Sequence, residues 1–178
     1  MRISFKLLLP FILIVILFFL FFTSIPPRKE DLCLTLNGEV RSICESCREK
    51  YTNISLLKCV AKGVVHFDTS LAKEICSRIE KEDEQKLCFA EALREIDLTA
   101  ALHHCDLIED VGIKAFCRAL TFRDMNETSK GEKECEVFLF LNNGDAYHQC
   151  MALLLRDKSY CEKITFTELK DSCISSLT

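Results

Sequence analysis

The sequence has no tryptophan, five glycines and three prolines in 178 residues, and no proline after Pro27. That scarcity excludes collagen-like and Gly-rich disordered chains. It also leaves everything beyond Pro27 free of the residue that most strongly breaks helices. Catalytic signatures are missing as well. G-x-S-x-G, H-E-x-x-H and a Gly-rich phosphate loop do not occur. Haem attachment through C-x-x-C-H is absent, because Arg48 follows Cys47. The acidic run Glu80, Glu82, Asp83 and Glu84 reads as a solvated turn at a helix start, where the helix dipole favours negative charge. No catalytic residue, cofactor or metal is assigned from the sequence.

Clustered positive charge is also lacking. Of 23 basic residues only Arg2 and Lys6 lie in residues 1–27, which hold none of the 27 acidic ones. The rest of the chain is therefore more acidic than the overall net charge of −4. Nucleic acid, whose binding requires Lys and Arg arrayed against phosphates, is not an expected partner.

What is present begins with one apolar block. Residues 7–22 read LLLPFILIVILFFLFF, and Thr23, Ser24 and Ile25 extend the uncharged stretch to Pro26-Pro27. A bilayer core requires roughly 20 helical residues, whereas the apolar region of a signal peptide is about 7–15 residues followed by small ones at the cut. Cleavage after Ser24 would put bulky Phe22 at the third position before the cut. The expectation is an uncleaved transmembrane signal anchor over 7–25, with a charged flank at 1–6 and a linker at 26–31. A cleaved leader and a secreted product stay open as the alternative.

Flanking charge does not orient the anchor, since Arg2 and Lys6 precede it and Arg28 and Lys29 follow it. The 12 cysteines do, because disulfides persist outside the cytosol. The expected arrangement is a single-pass membrane protein with residues 32–178 as an extracytoplasmic, cysteine-rich helical domain. Two N-x-S/T sequons, at Asn53 and Asn126, are possible glycosylation sites in that setting.

The cysteines form a ladder: Cys33, Cys44, Cys47, Cys59, Cys76, Cys88, Cys105, Cys117, Cys135, Cys150, Cys161 and Cys173. Cys47/Cys59, Cys76/Cys88, Cys105/Cys117 and Cys161/Cys173 are each twelve apart, and Cys135/Cys150 is stretched by an insertion of Leu141-Asn142-Asn143-Gly144. First members follow one another at intervals of 29, 29, 30 and 26 residues, the mark of a helical-hairpin array. Flanking positions repeat too. Two residues after the second cysteine stand Ala61, Ala90, Ala119, Ala152 and Ser175; five after it stand Val64, Leu93, Phe122 and Leu155. Three after the first cysteine stand Ile79, Phe138, Ile108 and Ile164. These are expected packing positions.

Asp68 and Asp97, eight residues before their cysteines, are expected N-caps, with Asn126 and Asp157 as equivalents at shifted distances. Helices are predicted over 69–79, 84–96, 98–108 and 112–123, so the domain is all-α. In each hairpin the first cysteine ends one helix and the second lies one to two turns into the returning helix. Cys33 and Cys44, flanking Asn37-Gly38, form a degenerate first hairpin. Residues 124–133, DMNETSKGEK, are predicted as the loosest linker.

Cys44-Glu45-Ser46-Cys47 is a C-x-x-C, and a thiol-redox or metal-handling site at Cys44 and Cys47 is the competing reading. His103, His104 and His148 are the histidines a metal would recruit. No βαβ pattern and no second short-spaced ligand pair accompany them. Structural staples are the reading preferred.

The segments Cys76–Cys88 and 161–173 resemble a degenerate hairpin repeat of uncharacterised exported or membrane-anchored archaeal proteins. The architecture is similar to Sel1-like and tetratricopeptide arrays, and the stapled hairpin resembles that of twin C-x9-C proteins, with eleven residues between cysteines in place of nine. The resemblance covers about residues 32–178 and implies an α-solenoid-like stack presenting a surface to protein partners. The expected function is a membrane-anchored interaction or scaffold module without catalytic activity.

Overall fold

The structure, a computed structural model, describes residues 32–177. The expected flank, anchor and linker lie outside the described residues; among the described ones no helix is long and apolar enough to cross a membrane. The chain divides into two compact units, 1–37 and 38–178. The described part of the first contains one short helix, α1 (Leu32–Thr35), with Leu32, Cys33 and Leu36 buried.

The second unit is all helical among its described residues. It comprises α2 (Gly38–Lys50), α3 (Asn53–Val64), α4 (Thr69–Ser77), α5 (Glu82–Leu93), α6 (Leu98–Asp106), α7 (Val111–Asp124), α8 (Thr128–Phe140), α9 (Gly144–Leu155), α10 (Lys158–Cys161) and α11 (Thr167–Ser175). They pack as consecutive pairs, α2/α3 through α10/α11, each closed by one disulfide. Each second helix also touches the second helix of the next hairpin, so α3, α5, α7, α9 and α11 form one row. Each later first helix packs against the second helix that precedes it.

Local chemistry sets the helix starts. The side chains of Asp68, Asp97, Asp110, Asn143 and Asp157 accept backbone N–H bonds from Leu71, Thr99 and Ala100, Ile113, Ala146 and Ser159. Each such cap stabilises its helix by about 1 kcal/mol. Asn126 is not a cap. It stands in the left-handed region at φ 62, ending α7, with the Glu127 N–H bonded to the Phe122 carbonyl. Glu127 precedes α8 and makes no side-chain cap. It stands eight residues before Cys135, the spacing that Asp68 and Asp97 show.

The predicted helices at 69–79 and 98–108 end two residues early. The chain tightens there, with Ile79 N–H bonding the Cys76 carbonyl and Ile108 N–H the Cys105 carbonyl; Ile164 does the same to Cys161. That turn swings each isoleucine inward as a plug, and all three are buried. The helix expected at 84–96 runs over Glu82–Leu93, shifted toward the turn.

Two further expectations are corrected. The linker predicted over 124–133 is mostly helical: α8 starts at Thr128, and Gly131 within it is buried. The insertion in the fourth hairpin is an extra helical turn. α4 and α6 stop one residue after their cysteine, at Ser77 and Asp106, whereas α8 continues past Cys135 to Phe140 before Asn142, at φ 53, turns the chain.

Core clusters repeat with the same parts. One joins Ala90 to Cys105, Cys117 and Ile108; another joins Ala152 to Cys161, Cys173 and Ile164. In the fourth hairpin Ala119 meets Cys135, Cys150 and Phe138. The third, fourth and fifth hairpins thus each bury their disulfide and plug against the alanine of the hairpin before. Leu155 departs from its expected packing role: it is exposed, and Leu154 is buried instead. Ser175, the counterpart of the alanines, is exposed, with no described hairpin packed on it.

Gly131 marks how closely successive hairpins approach. A Cβ there would lie 2.5 Å from Leu154 Cδ1 and 3.0 Å from the Ala119 carbonyl oxygen. Ala72 and Ala101 hold the same position, four residues before the cysteine, in α4 and α6, and both are fully buried. Gly131→Ala gains helix propensity of about 1 kcal/mol but overpacks against a backbone atom, at a cost of roughly 1–3 kcal/mol. Calorimetry with disulfides intact is expected to show a lower Tm for Gly131→Ala than for Gly144→Ala, whose Cβ meets nothing within 4 Å. Equal melting of the two variants would remove close helix approach as the reason for the glycine.

Candidate functional site

At one end of the second unit the N-terminal turns of the second helices meet the turns of the neighbouring hairpins. Asp83, second residue of α5, accepts from the N–H groups of Glu109 at 3.0 Å and Asp110 at 2.8 Å. Asp145, second residue of α9, accepts from Thr165 N–H at 2.8 Å, Phe166 N–H at 3.0 Å and the Thr165 hydroxyl at 2.8 Å. One carboxylate in the second hairpin thus holds the turn of the third, and one in the fourth holds the turn of the fifth. Backbone N–H donation from Glu109 holds the Asp83 carboxyl below its usual pKa, and donation from Thr165 does the same for Asp145.

Between the third and fourth hairpins this tie is missing. The second residue of α7 is Gly112, and the Phe138 ring lies over it, 3.3 Å from where a Cβ would be. Leu141, beyond the extra turn of α8, comes within 3.9 Å of the same point. A groove of about 640 Å³ opens there, walled by Leu87, Ile113, Phe116, Phe138, Leu141 and Ala146, with Asp110, Asn143 and Gln149 as its polar groups. Val111, also in the wall, and Leu139 and Phe140, next to it in the chain, are half exposed or more, Phe140 reaching 84%. Leu139 and Phe140 stand between the wall residues Phe138 and Leu141 in the chain and are not themselves in the wall.

The cysteines occupy a different role. Disulfides join Cys47–Cys59, Cys76–Cys88, Cys105–Cys117, Cys135–Cys150 and Cys161–Cys173, with Cα–Cα distances of 5.9, 5.7, 5.6, 5.6 and 5.7 Å. Cys33 and Cys44 are also disulfide-bonded, and no described cysteine is free. Cys44 and Cys47 are not joined to each other, since Cys47 is bonded to Cys59. The histidines are dispersed. His104 lies edge-on to Phe89 at 4.8 Å, beside His103, while His148 stands between Tyr147 and Tyr160. Burial lowers the pKa of His104. No three His, Cys, Asp or Glu side chains converge on a metal position among the described residues. Asn53 and Asn126 are exposed, each at positive φ beside a helix end.

The groove was not among the residues singled out from the sequence. Its available signals are the insertion at 141–144 and the Gly at a helix position where Asp83 and Asp145 stand in other hairpins. No family model, curated protein or solved structure matches the chain.

The lowered carboxyl pKa values give a signed pH dependence. A carboxylate whose folded pKa lies below its ordinary 3.8 stabilises the fold fully above that pH and loses the contribution as pH falls through the folded value. Urea midpoints are expected to hold steady from pH 7 to about 5 and to decline below about 4. In Asp83→Ala with Asp145→Ala the midpoint starts lower at neutral pH and declines less. Parallel acid profiles for the two proteins would show that these carboxylates do not tie the hairpins.

Proposed function

We propose that the chain is a single-pass, membrane-anchored extracytoplasmic protein whose stapled hairpins serve as a non-catalytic protein-interaction module. The observation that carries this reading is the apolar groove at the junction of the third and fourth hairpins, with Val111 and Leu141 of its wall exposed. Two features support the setting. The apolar run at 7–25 has the composition of a signal anchor, and cysteines bonded throughout the described residues suit an oxidising compartment. An α-solenoid-like array suits the role, because successive hairpins present extended surface on a stiff frame. A rigid surface also lowers the ordering cost of association.

Peptide mapping under non-reducing conditions, on protein taken from its native membrane, tests compartment and staples together. Expected are an intact peptide spanning 1–25, no thiol reacting with maleimide, and a photo-cross-linker at position 141, in the groove wall, giving a discrete protein adduct that one at position 49 does not. Free thiols at Cys44 and Cys47, or a bond between them, would overturn the scaffold in favour of thiol exchange. A missing leader would make the product secreted. Equal adducts at both positions would remove the groove as the interaction site.

A further inference from the structure

We infer that the occupant of the groove is a cationic amphipathic helix of a partner protein, seated with its apolar face on Phe138, Ile113 and Leu141 and its Lys or Arg side chains against Glu109 and Asp110. This rests on the reading of the groove as a docking site and adds the chemistry of what docks.

The helical form follows from the walls. Among the described residues there is no strand, so no sheet edge is offered for strand addition, and the groove is framed by helix ends and turns. An apolar groove between helices takes a helix through side chains at i, i+3 and i+4. The fold itself fills comparable space this way: each later first helix packs on the preceding second helix and on its own.

The sign of the charge follows from the ion pairs. Lys86 is engaged by Glu82 at 2.9 Å and Asp83 at 3.6 Å, and Lys81 by Glu84 at 3.5 Å. Glu109 and Asp110 are exposed; Glu109 adds to the negative field around Lys86, leaving that cation outnumbered by acids, and Asp110 belongs to no ion pair among the described residues. Asp110 lies in the groove wall, which contains no Lys or Arg; Lys114, the next cation along α7, is outside that wall. A groove with Asp110 on its rim, Glu109 next to it in the chain and no Lys or Arg in its wall favours positive side chains on its ligand. The same rim disfavours two other occupants. A bilayer surface rich in anionic lipid would be repelled. A second copy docked by two-fold symmetry would oppose its own Glu109 and Asp110 to these.

Binding of two designed fluorescent peptides to the full chain in detergent provides the test. Both are amphipathic helices of about 18 residues, or five turns, with one leucine face; one has lysines on the other face, the other glutamates. The lysine peptide is expected to bind at least about tenfold more tightly, with a preference that shrinks as salt rises. Val111→Lys with Leu141→Lys should weaken it about tenfold or more. Glu109→Gln with Asp110→Asn, which keeps a capping side chain at 110, should reduce the preference to under about threefold while retaining groove-dependent binding. Glutamate-peptide binding that equals or exceeds that of the lysine peptide, and is lost in the Val111/Leu141 variant, overturns the cationic partner and leaves the docking site standing. Binding of either peptide that ignores the Val111/Leu141 variant overturns both. Dimerisation in sedimentation that this variant abolishes assigns the groove to a second copy and overturns the inference.

Discussion

A disulfide between two helices demands Cα atoms within about 4.4–6.8 Å, which helices with axes at the usual 8–10 Å reach only where two cysteines face each other, since each Cα stands about 2.3 Å off its axis. The five hairpins of the second unit meet this at 5.6–5.9 Å, and much of the remaining order follows. The second cysteine is the seventh residue of its helix in α3, α5, α7, α9 and α11 alike, so the bridge always forms at one depth in the hairpin. Alanine two residues after each second cysteine, at 61, 90, 119 and 152, is fully buried, and those at 90, 119 and 152 accept the next hairpin in turn. The isoleucine plugs at 79, 108 and 164 close the hairpin end. Cysteine spacing, small residues and plug are one packing solution repeated along the chain.

The staples also explain how short helices hold together. α4, α6 and α11 are nine residues long, α10 only four, and isolated helices of such length are marginal in water. Each bridge closes a loop of about a dozen residues, for which chain-entropy accounting gives roughly 3 kcal/mol. Contacts along the row of second helices add direction. Lys58 and Lys62 of α3 pair with Glu91 and Glu95 across α5, Arg94 with Asp124, and Arg123 donates to the Leu153 carbonyl. The solvent-exposed pair Lys62–Glu95 contributes little, about 0–1 kcal/mol, while Lys58–Glu91 and Arg94–Asp124 are partly buried. Their use is to fix which helix follows which.

What the sequence reveals is what repeats. The period, the all-α class, the Cys47/Cys59-type pairs and the alanine and isoleucine positions can be read from spacing alone. What it hides depends on contacts between hairpins. The polar run at 124–133 looks like a linker because Gly131 and its charged neighbours suggest none of the burial that Leu154 and the Ala119 carbonyl impose on it. Asn126 has the composition of a cap, yet the helix before it claims it as a left-handed terminator. Leu155 occupies the register of Val64 and Leu93, but α9 ends in left-handed Arg156 and turns Leu154 inward in its place. The groove is hidden for the same reason, since Gly112 and Phe138 are distant in sequence and only the folded chain lays one on the other.

Ties at two junctions, and a glycine in place of the carboxylate between the third and fourth hairpins, set where the groove opens. Asp83 and Asp145 pin the turns of the hairpins after them. At the equivalent place in α7 a glycine removes both the carboxylate and the Cβ, and the extended α8 brings Phe138 and Leu141 into the space. Both changes act against the local rule of the array. The glycine lowers helix propensity, and the extra turn exposes large apolar side chains to water. Departures from an otherwise consistent pattern concentrate where a chain must do something besides fold. Here two independent departures converge on one junction while the disulfides of the hairpins on either side, Cys105–Cys117 and Cys135–Cys150, keep their geometry. The frame is thus held constant across the junction, and the variation is confined to the surface it presents.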